Sequence, residues 1–451
     1  MATMTAPFAF PVLRRSENHT GAPSEISAYR MVITYILVLP LLFFAVRGNF
    51  SFEYTAQNNA QTGIYGSLMI ANYGSGSALH SLELCFYYGI ICLAVFPYMK
   101  QLMPVILENK LSFALPLWAV FSTVWSQEPK RSFAFAITVV INTVFAIFLA
   151  VRFKPKQQMQ LFLLVGLVAT LGSFLIIGGM PKAGIDYKNH TIGCEGIYPH
   201  KNICGVLTAI FMLPAYFYRF KGNSAAFKKA SYLFCAVVLS AISTSRTGWL
   251  VLLCCLLFVY LAKNLRRFSV LERILVISTL PALATAAGCL IYLYRAELLK
   301  LMDKSATLSG RTIIWHAVFL SIMKRPLFGF GYDAFWIGFK GEAIHLALAS
   351  GAPGLANAEN ALFQLCLEVG LVGVILILAI LGQGVWRAIQ CYRSDTPGYA
   401  LWYMSMIFVE VLALVDGQRY MIPHSIEWTI LVFSNACLAM EVKRQRALVT
   451  A

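Results

Sequence analysis

Residues 132–152 read SFAFAITVVINTVFAIFLAVR, and Phe153, Lys154, Pro155 and Lys156 follow at once. A helix crossing a bilayer needs about 20 mostly apolar residues, and this run supplies them with its only charge, Arg152, at the end. It is apolar on nearly every side, as a helix surrounded by lipid and other helices must be.

Outward from this run the pattern recurs. Further spans are predicted over roughly 31–47, 82–99, 111–126, 159–178, 202–219, 231–246, 248–263, 274–294, 361–387, 400–415 and 425–441, about twelve in all. Only 12% of the 451 residues are charged and 59% are hydrophobic, against about 25% charged in a soluble domain. Such a chain cannot cover a globular surface with polar groups, so the expected fold is an all-α polytopic membrane bundle. The net charge of +16 does not indicate nucleic acid, because the basic residues lie in short clusters between apolar runs. The apolar stretch from Ala6 to Leu13 is too short for a cleavable signal peptide. The cysteines lie mostly inside apolar runs, so neither a disulfide framework nor a metal site is expected.

The clusters give an orientation. Arg14, Arg15 and Arg30 precede the first span; Arg152, Lys154 and Lys156, then Arg219, Lys221, Lys228 and Lys229, then Lys263, Arg266, Arg267 and Arg273 occupy alternate connections. Arg387 and Arg393 continue the series, and Lys443, Arg444 and Arg446 close it. The alternation predicts an even number of spans with both termini cytoplasmic. It divides the chain into helices one to nine (1–294), a long outer loop (295–360) and the last three helices (361–451). The loop is not low-complexity. Ile314, Val318 and Ile322 share one face of a helix over 311–323, which Pro326 and the Gly329-Phe330-Gly331 turn end.

Four polar groupings fall on the outer side. Tyr198-Pro199-His200-Lys201-Asn202 opens a span, where it could anchor at headgroup level or bind phosphate or sugar hydroxyls. Ser243-Thr244-Ser245-Arg246-Thr247 sets Arg246 at the outer end of its helix, where it snorkels or meets an anionic headgroup. Ser309-Gly310-Arg311 opens the loop helix with Trp315 one turn on, and an arginine fork there suits a diphosphate. Asn357-Ala358-Glu359-Asn360 brings a carboxylate to the membrane edge, as a general base or an ion-pair partner; Glu368, deeper in the span, must find a structural partner.

In this order the groupings resemble the O-antigen ligase and polysaccharide polymerase superfamily, in particular its exopolysaccharide repeat-unit polymerase branch. The resemblance rests on Gly196 through Asn202 with Gly205, on Ser245-Arg246, on Ser309 through Tyr332, and on Glu359 through Gly373, so it covers roughly residues 190–375 by motif. It implies a GT-C-like fold in the bacterial inner membrane with a long periplasmic loop. It also implies an inverting glycosyl transfer from undecaprenyl diphosphate, without nucleotide sugar, metal or other cofactor. On this resemblance Arg246 and Arg311 bind diphosphate, and Glu359 acts as base. His200, Lys201, Asn202, Asn360, Gly310, Trp315 and Tyr332 then line the substrate site. Relatives usually carry His where this chain has Glu359, and often a basic residue where it has Glu195. Undecaprenyl-diphosphate-linked oligosaccharide, membrane lipid and a chain-length regulator protein are the expected partners. A ligase delivering glycan to lipid A–core or protein is the nearest alternative. A transporter or lipid flippase would need charges buried mid-span and broken helices in paired positions; mid-span charges are few here.

Overall fold

The computed structural model describes residues 36–37, 40–42, 78–186, 192–198, 200–264, 311–337, 341–349, 357–358, 360–392, 398–413 and 425–450. The helices in chain order are α1 (Ala78–Val95), α2 (Met99–Glu108), α3 (Leu111–Phe121), α4 (Pro129–Arg152), α5 (Pro155–Gly179) and the single turn α6 (Pro181–Gly184). Two short strands follow, β1 (Ile185–Asp186) and β2 (Gly193–Cys194), then α7 (Lys201–Phe217), α8 (Ala225–Ile242) and α9 (Arg246–Asn264). The rest are α10 (Arg311–Lys324), α11 (Glu342–Ala349), α12 (Ala361–Tyr392), α13 (Tyr399–Ala413) and α14 (Ile426–Thr450). The protein is mostly helical and multi-pass. Among the described residues 6 helices are long and apolar enough to cross a membrane. The predicted span over 274–294 and most of that over 31–47 lie outside the described residues.

Local chemistry sets the helix ends. Pro129 and Pro155 stand in the first turns of α4 and α5, where a missing N–H costs nothing. Pro155 also holds Lys154 extended (φ −67°, ψ 153°), which stops α4 just after Arg152. Gln158 then ties the turn, donating to the carbonyls of Ala150 and Phe153 at 3.0 and 2.8 Å.

α4 and α14 pack together at the centre, with α3, α12 and α13 around them and α5, α7, α8 and α9 beyond. Phe145, Phe148, Phe162, Trp402, Trp428 and Phe433 fill the core. Polar side chains tie helices across it: the Trp428 indole donates to Thr143 Oγ1 at 3.0 Å, and the Tyr403 hydroxyl to Gln158. Many large apolar side chains are exposed, Leu93, Phe96 and Val124 among them, as on a surface turned to lipid.

Three expectations change. The span placed at 82–99 runs on as Leu84–Glu108, because Phe96–Tyr98 bridge α1 and α2 as a 3-10 turn rather than ending a helix. The span placed at 231–246 stops at Ile242: Ser243 and Thr244 form the turn (Thr244 φ 51°), so Arg246 opens α9 instead of closing α8. The span at 361–387 is not continuous. Gly370 (φ 72°, ψ −172°) breaks α12, in a conformation essentially confined to glycine.

The chain 326–331 fills that break. The Phe330 and Gly331 N–H groups donate to the carbonyls of Leu367 and Glu368 at 2.8 and 2.9 Å, and the Leu371 N–H donates to Pro326 O at 2.8 Å. Carbonyls and amides that a continuous helix would pair internally are thus paired by the loop, as a lipid-surrounded backbone requires. Trp118 adds its indole N–H to Val369 O at 2.9 Å. The predicted loop helix is α10. Ile314, Val318 and Ile322 are buried in a second core with Phe330, Phe335, Trp336 and Leu367.

Candidate functional site

The first two sequence groupings meet at one end of α7 and α9. His200 caps α7, its Nδ1 accepting the Asn202 N–H at 3.2 Å. Asn202 Oδ1 in turn accepts from the Ser245 hydroxyl at 3.2 Å, and Ser245 Oγ accepts the Gly248 N–H at 3.0 Å, capping α9. One turn deeper, Gly205 faces Gly248. A Cβ on Gly248 would stand 2.6 Å from the Gly205 Cα, so the two backbones touch, the small-residue crossing that lets membrane helices pack closely.

Lys201 lies at the same end, buried, with Nζ 3.6 Å from Asp186 Oδ2. Asp186 is held by the ribbon, where β1 pairs antiparallel with β2, Ile185 opposite Cys194 and Asp186 opposite Gly193. A Cβ on Gly193 would lie 2.6 Å from Lys201 Cδ and 2.7 Å from Ser243 O, so the residue opposite Asp186 must be glycine for Lys201 and the α8–α9 turn to close over it. The Thr244 hydroxyl donates to Ile192 O at 3.1 Å and pins that turn. Burial raises the Cys194 thiol above its usual pKa, which disfavours the reactive thiolate.

At this end Lys201 and Asn202 are therefore engaged within the protein, His200 is half-buried as a cap, and Arg246 is exposed. Asp186 was not singled out in the sequence. The signal for it was a carboxylate in the connection between α5 and α7, just before a lysine at a helix start.

The other two groupings belong to a second assembly, α10, α11 and α12. Arg311 is the first residue of α10. Trp315 packs edge-on against Phe363, ring centres 6.2 Å apart. Asn360 Oδ1 accepts the Phe363 N–H at 3.1 Å, capping α12. Glu368 has its structural partner: the Gln364 amide donates to it, while Gln364 Oε1 accepts from the Trp336 indole at 2.9 Å and the Ala358 N–H at 3.0 Å. Gly310 and Glu359 lie outside the described residues.

Tyr332, expected in the substrate site, is fully buried in the main core. Its N–H donates to Ser122 Oγ at 3.0 Å and its carbonyl accepts from Ser132 Oγ at 2.7 Å. The neighbouring Asp333 (φ 51°) takes Arg131 by two routes: Nη2 to Oδ2 at 2.8 Å and Nε to the backbone carbonyl at 2.8 Å. This fork, which the sequence did not reveal, fastens the loop to the start of α4. Beside it, Trp125, Arg325 and Pro326 through Gly329 line an open groove of ≈ 570 Å³.

Comparison with known proteins agrees with the motifs. The family model described as O-antigen ligase matches residues 231–378, from α8 to beyond the break in α12. The chain is similar to the exopolysaccharide production protein ExoQ of Rhizobium meliloti (strain 1021), at 24% identity over 352 residues, 74% of this chain and 78% of that protein. Both similarities support the resemblance of the chain to the ExoQ-like branch of the O-antigen ligase superfamily.

Proposed function

We propose that the protein is a membrane glycosyltransferase of exopolysaccharide synthesis, a polymerase that joins undecaprenyl-diphosphate-linked repeat units on the periplasmic side of the inner membrane. The observation that carries this reading is the junction at α7 and α9. The Asn202–Ser245 bond and the Gly205–Gly248 contact bring the His200-Lys201-Asn202 motif beside Arg246 and leave that guanidinium exposed. An exposed arginine at a helix start can take up a lipid-linked diphosphate in two-pronged hydrogen bonds.

In the proposed reaction an acceptor hydroxyl oxygen attacks the anomeric carbon of the donor sugar. The bond from that carbon to the diphosphate oxygen breaks, and the configuration inverts. Arg246 and Arg311 stabilise the charge gathering on the departing undecaprenyl diphosphate, and Glu359 accepts the hydroxyl proton. His200, Lys201, Asn202 and Asn360 hold the helix starts around the sugars, with Gly310, Trp315 and Tyr332 shaping the loop. No nucleotide enters, because the donor diphosphate is itself the leaving group. The alternating basic clusters support cytoplasmic termini. The gathering of Arg387 on Asn109 and Lys443 on Glu108 at one end of the bundle fits that orientation.

The test is reconstitution. Protein in liposomes, given the host's undecaprenyl-diphosphate-linked repeat unit without nucleotide, should yield a ladder of polymer and release undecaprenyl diphosphate. Arg246→Ala should abolish the ladder while the protein elutes as wild type from a sizing column. A full ladder from that variant would remove Arg246 from the mechanism. A second reading has its own support, since the matching family model is described as a ligase. It predicts no ladder from repeat units alone, and single-step transfer once lipid A–core or protein acceptor is added.

A further inference from the structure

At the end of α7, α8 and α9 opposite Arg246, two lysines converge on one tyrosine. Tyr216 lies in the last turn of α7, Lys229 near the start of α8 and Lys263 in the last turn of α9. Lys263 Nζ donates to the Tyr216 hydroxyl at 3.0 Å and stands 4.2 Å from the ring centre. Lys229 Nζ donates to the Tyr216 backbone carbonyl at 3.1 Å and stands 5.5 Å from the same ring centre. Both ammonium groups are therefore within about one Debye length of each other, roughly 10 Å, and they repel. Tyr216 offers each an uncharged oxygen and the negative face of its ring, and neither lysine forms an ion pair with a carboxylate among the described residues. Arg219 and Lys221 on the connecting segment and Lys228 at the start of α8 are exposed and add to the positive field.

The surroundings are apolar. Phe227 and Phe234 on α8, and Leu257 and Tyr260 on α9, are among the exposed large side chains of this unit. A soluble anion has no use for them, but the chains of a lipid do. Where a lipid-facing helix surface meets a paired positive charge, the complementary molecule carries a phosphate on an apolar tail.

We propose that Tyr216, Lys229 and Lys263 form a binding site for the headgroup phosphate of an anionic phospholipid, with its acyl chains against the exposed apolar faces of α8 and α9. The site is separate from the glycosyl-transfer residues and holds whether or not the proposed activity is correct.

The experiment is native mass spectrometry of the full chain, delipidated in detergent and titrated with phosphatidylglycerol or, in parallel, phosphatidylcholine. Wild type should retain phosphatidylglycerol in preference to phosphatidylcholine. The variant Lys229→Gln/Lys263→Gln should bind it roughly thirtyfold more weakly, the product of two basic side chains at their typical attraction for anionic lipid. Lys229→Arg/Lys263→Arg, which keeps both charges, should stay near wild type and shows that loss in the Gln pair is not misfolding. The pair Lys154→Gln/Lys156→Gln removes the same charge from the exposed start of α5 and should leave binding unchanged. An equal loss in that control pair, or phosphatidylcholine held as tightly as phosphatidylglycerol, would overturn the proposal. So would complete displacement of the lipid by inorganic phosphate, which would make the site one for a free anion.

Discussion

The protein brings backbone against backbone in two places, and it does so by opposite means. Where α7 crosses α9, both helices stay intact and Gly205 and Gly248 let them touch. Where α12 meets the segment that follows α10, the helix itself is broken at Gly370, and the loop around Gly329 supplies the missing partners. At the first place the polar motif sits above an undisturbed crossing and ends in an exposed arginine. At the second, motif residues such as Tyr332 and Glu368 are buried and engaged with the chain itself. One polar grouping can thus mark a surface and another a splice. Exposure separates them, and sequence spacing does not.

The splice is the more fragile of the two. A side chain at Gly370 would place its Cβ 2.1 Å from Leu327 O, and the backbone there is open only to glycine. Gly370→Val should cost more than about 3 kcal/mol and yield no monodisperse protein on a sizing column in detergent. Wild-type elution and melting from that variant would mean that α12 is not broken. Next in size is the buried pair at the other region. Lys201→Met removes the ammonium 3.6 Å from Asp186 and should cost about 3 kcal/mol, read as a lower melting temperature. Lys201→Met/Asp186→Asn should recover most of the loss, because no charge is then stranded. If the double variant melts no higher than the single one, the 3.6 Å pair is not what Lys201 contributes. The crossing itself should tolerate change best. Gly248→Ala puts a Cβ 2.6 Å from the Gly205 Cα, so α7 and α9 must separate by about 1 Å there, and it should cost roughly 1–3 kcal/mol, with the protein still folded.

Much of the bundle was legible because apolar runs of spanning length carry their own message, and 132–152 needed only its flanking prolines to become α4. The buried face of α10 was legible for the same reason, through the spacing of Ile314, Val318 and Ile322. The break at Gly370 was not. A glycine between Val369 and Leu371 reads as an ordinary member of an apolar run, and only the loop that replaces the helical hydrogen bonds makes the break affordable in lipid. Arg131 and Asp333 are separated by 202 positions, and nothing in either local pattern announces the other. The polar groupings were found as separate motifs; that Asn202 bonds Ser245 while Asn360 caps its own helix is information carried by packing.

The last distinction has the smallest effect and the sharpest meaning. Asn360 accepts the Phe363 N–H at 3.1 Å, so Asn360→Ala should lose a helix cap, about 1 kcal/mol, whatever its part in the reaction. Asn360→Ser keeps a capping oxygen and should melt near wild type. Polymer formation then separates the two roles. If the Ser variant makes a full ladder, Asn360 acts through the start of α12, as Asn202 acts through α7 and α9. If it folds as wild type yet makes none, the amide itself meets the sugar, and this region presents a group to the substrate, the role proposed for Arg246 in the other.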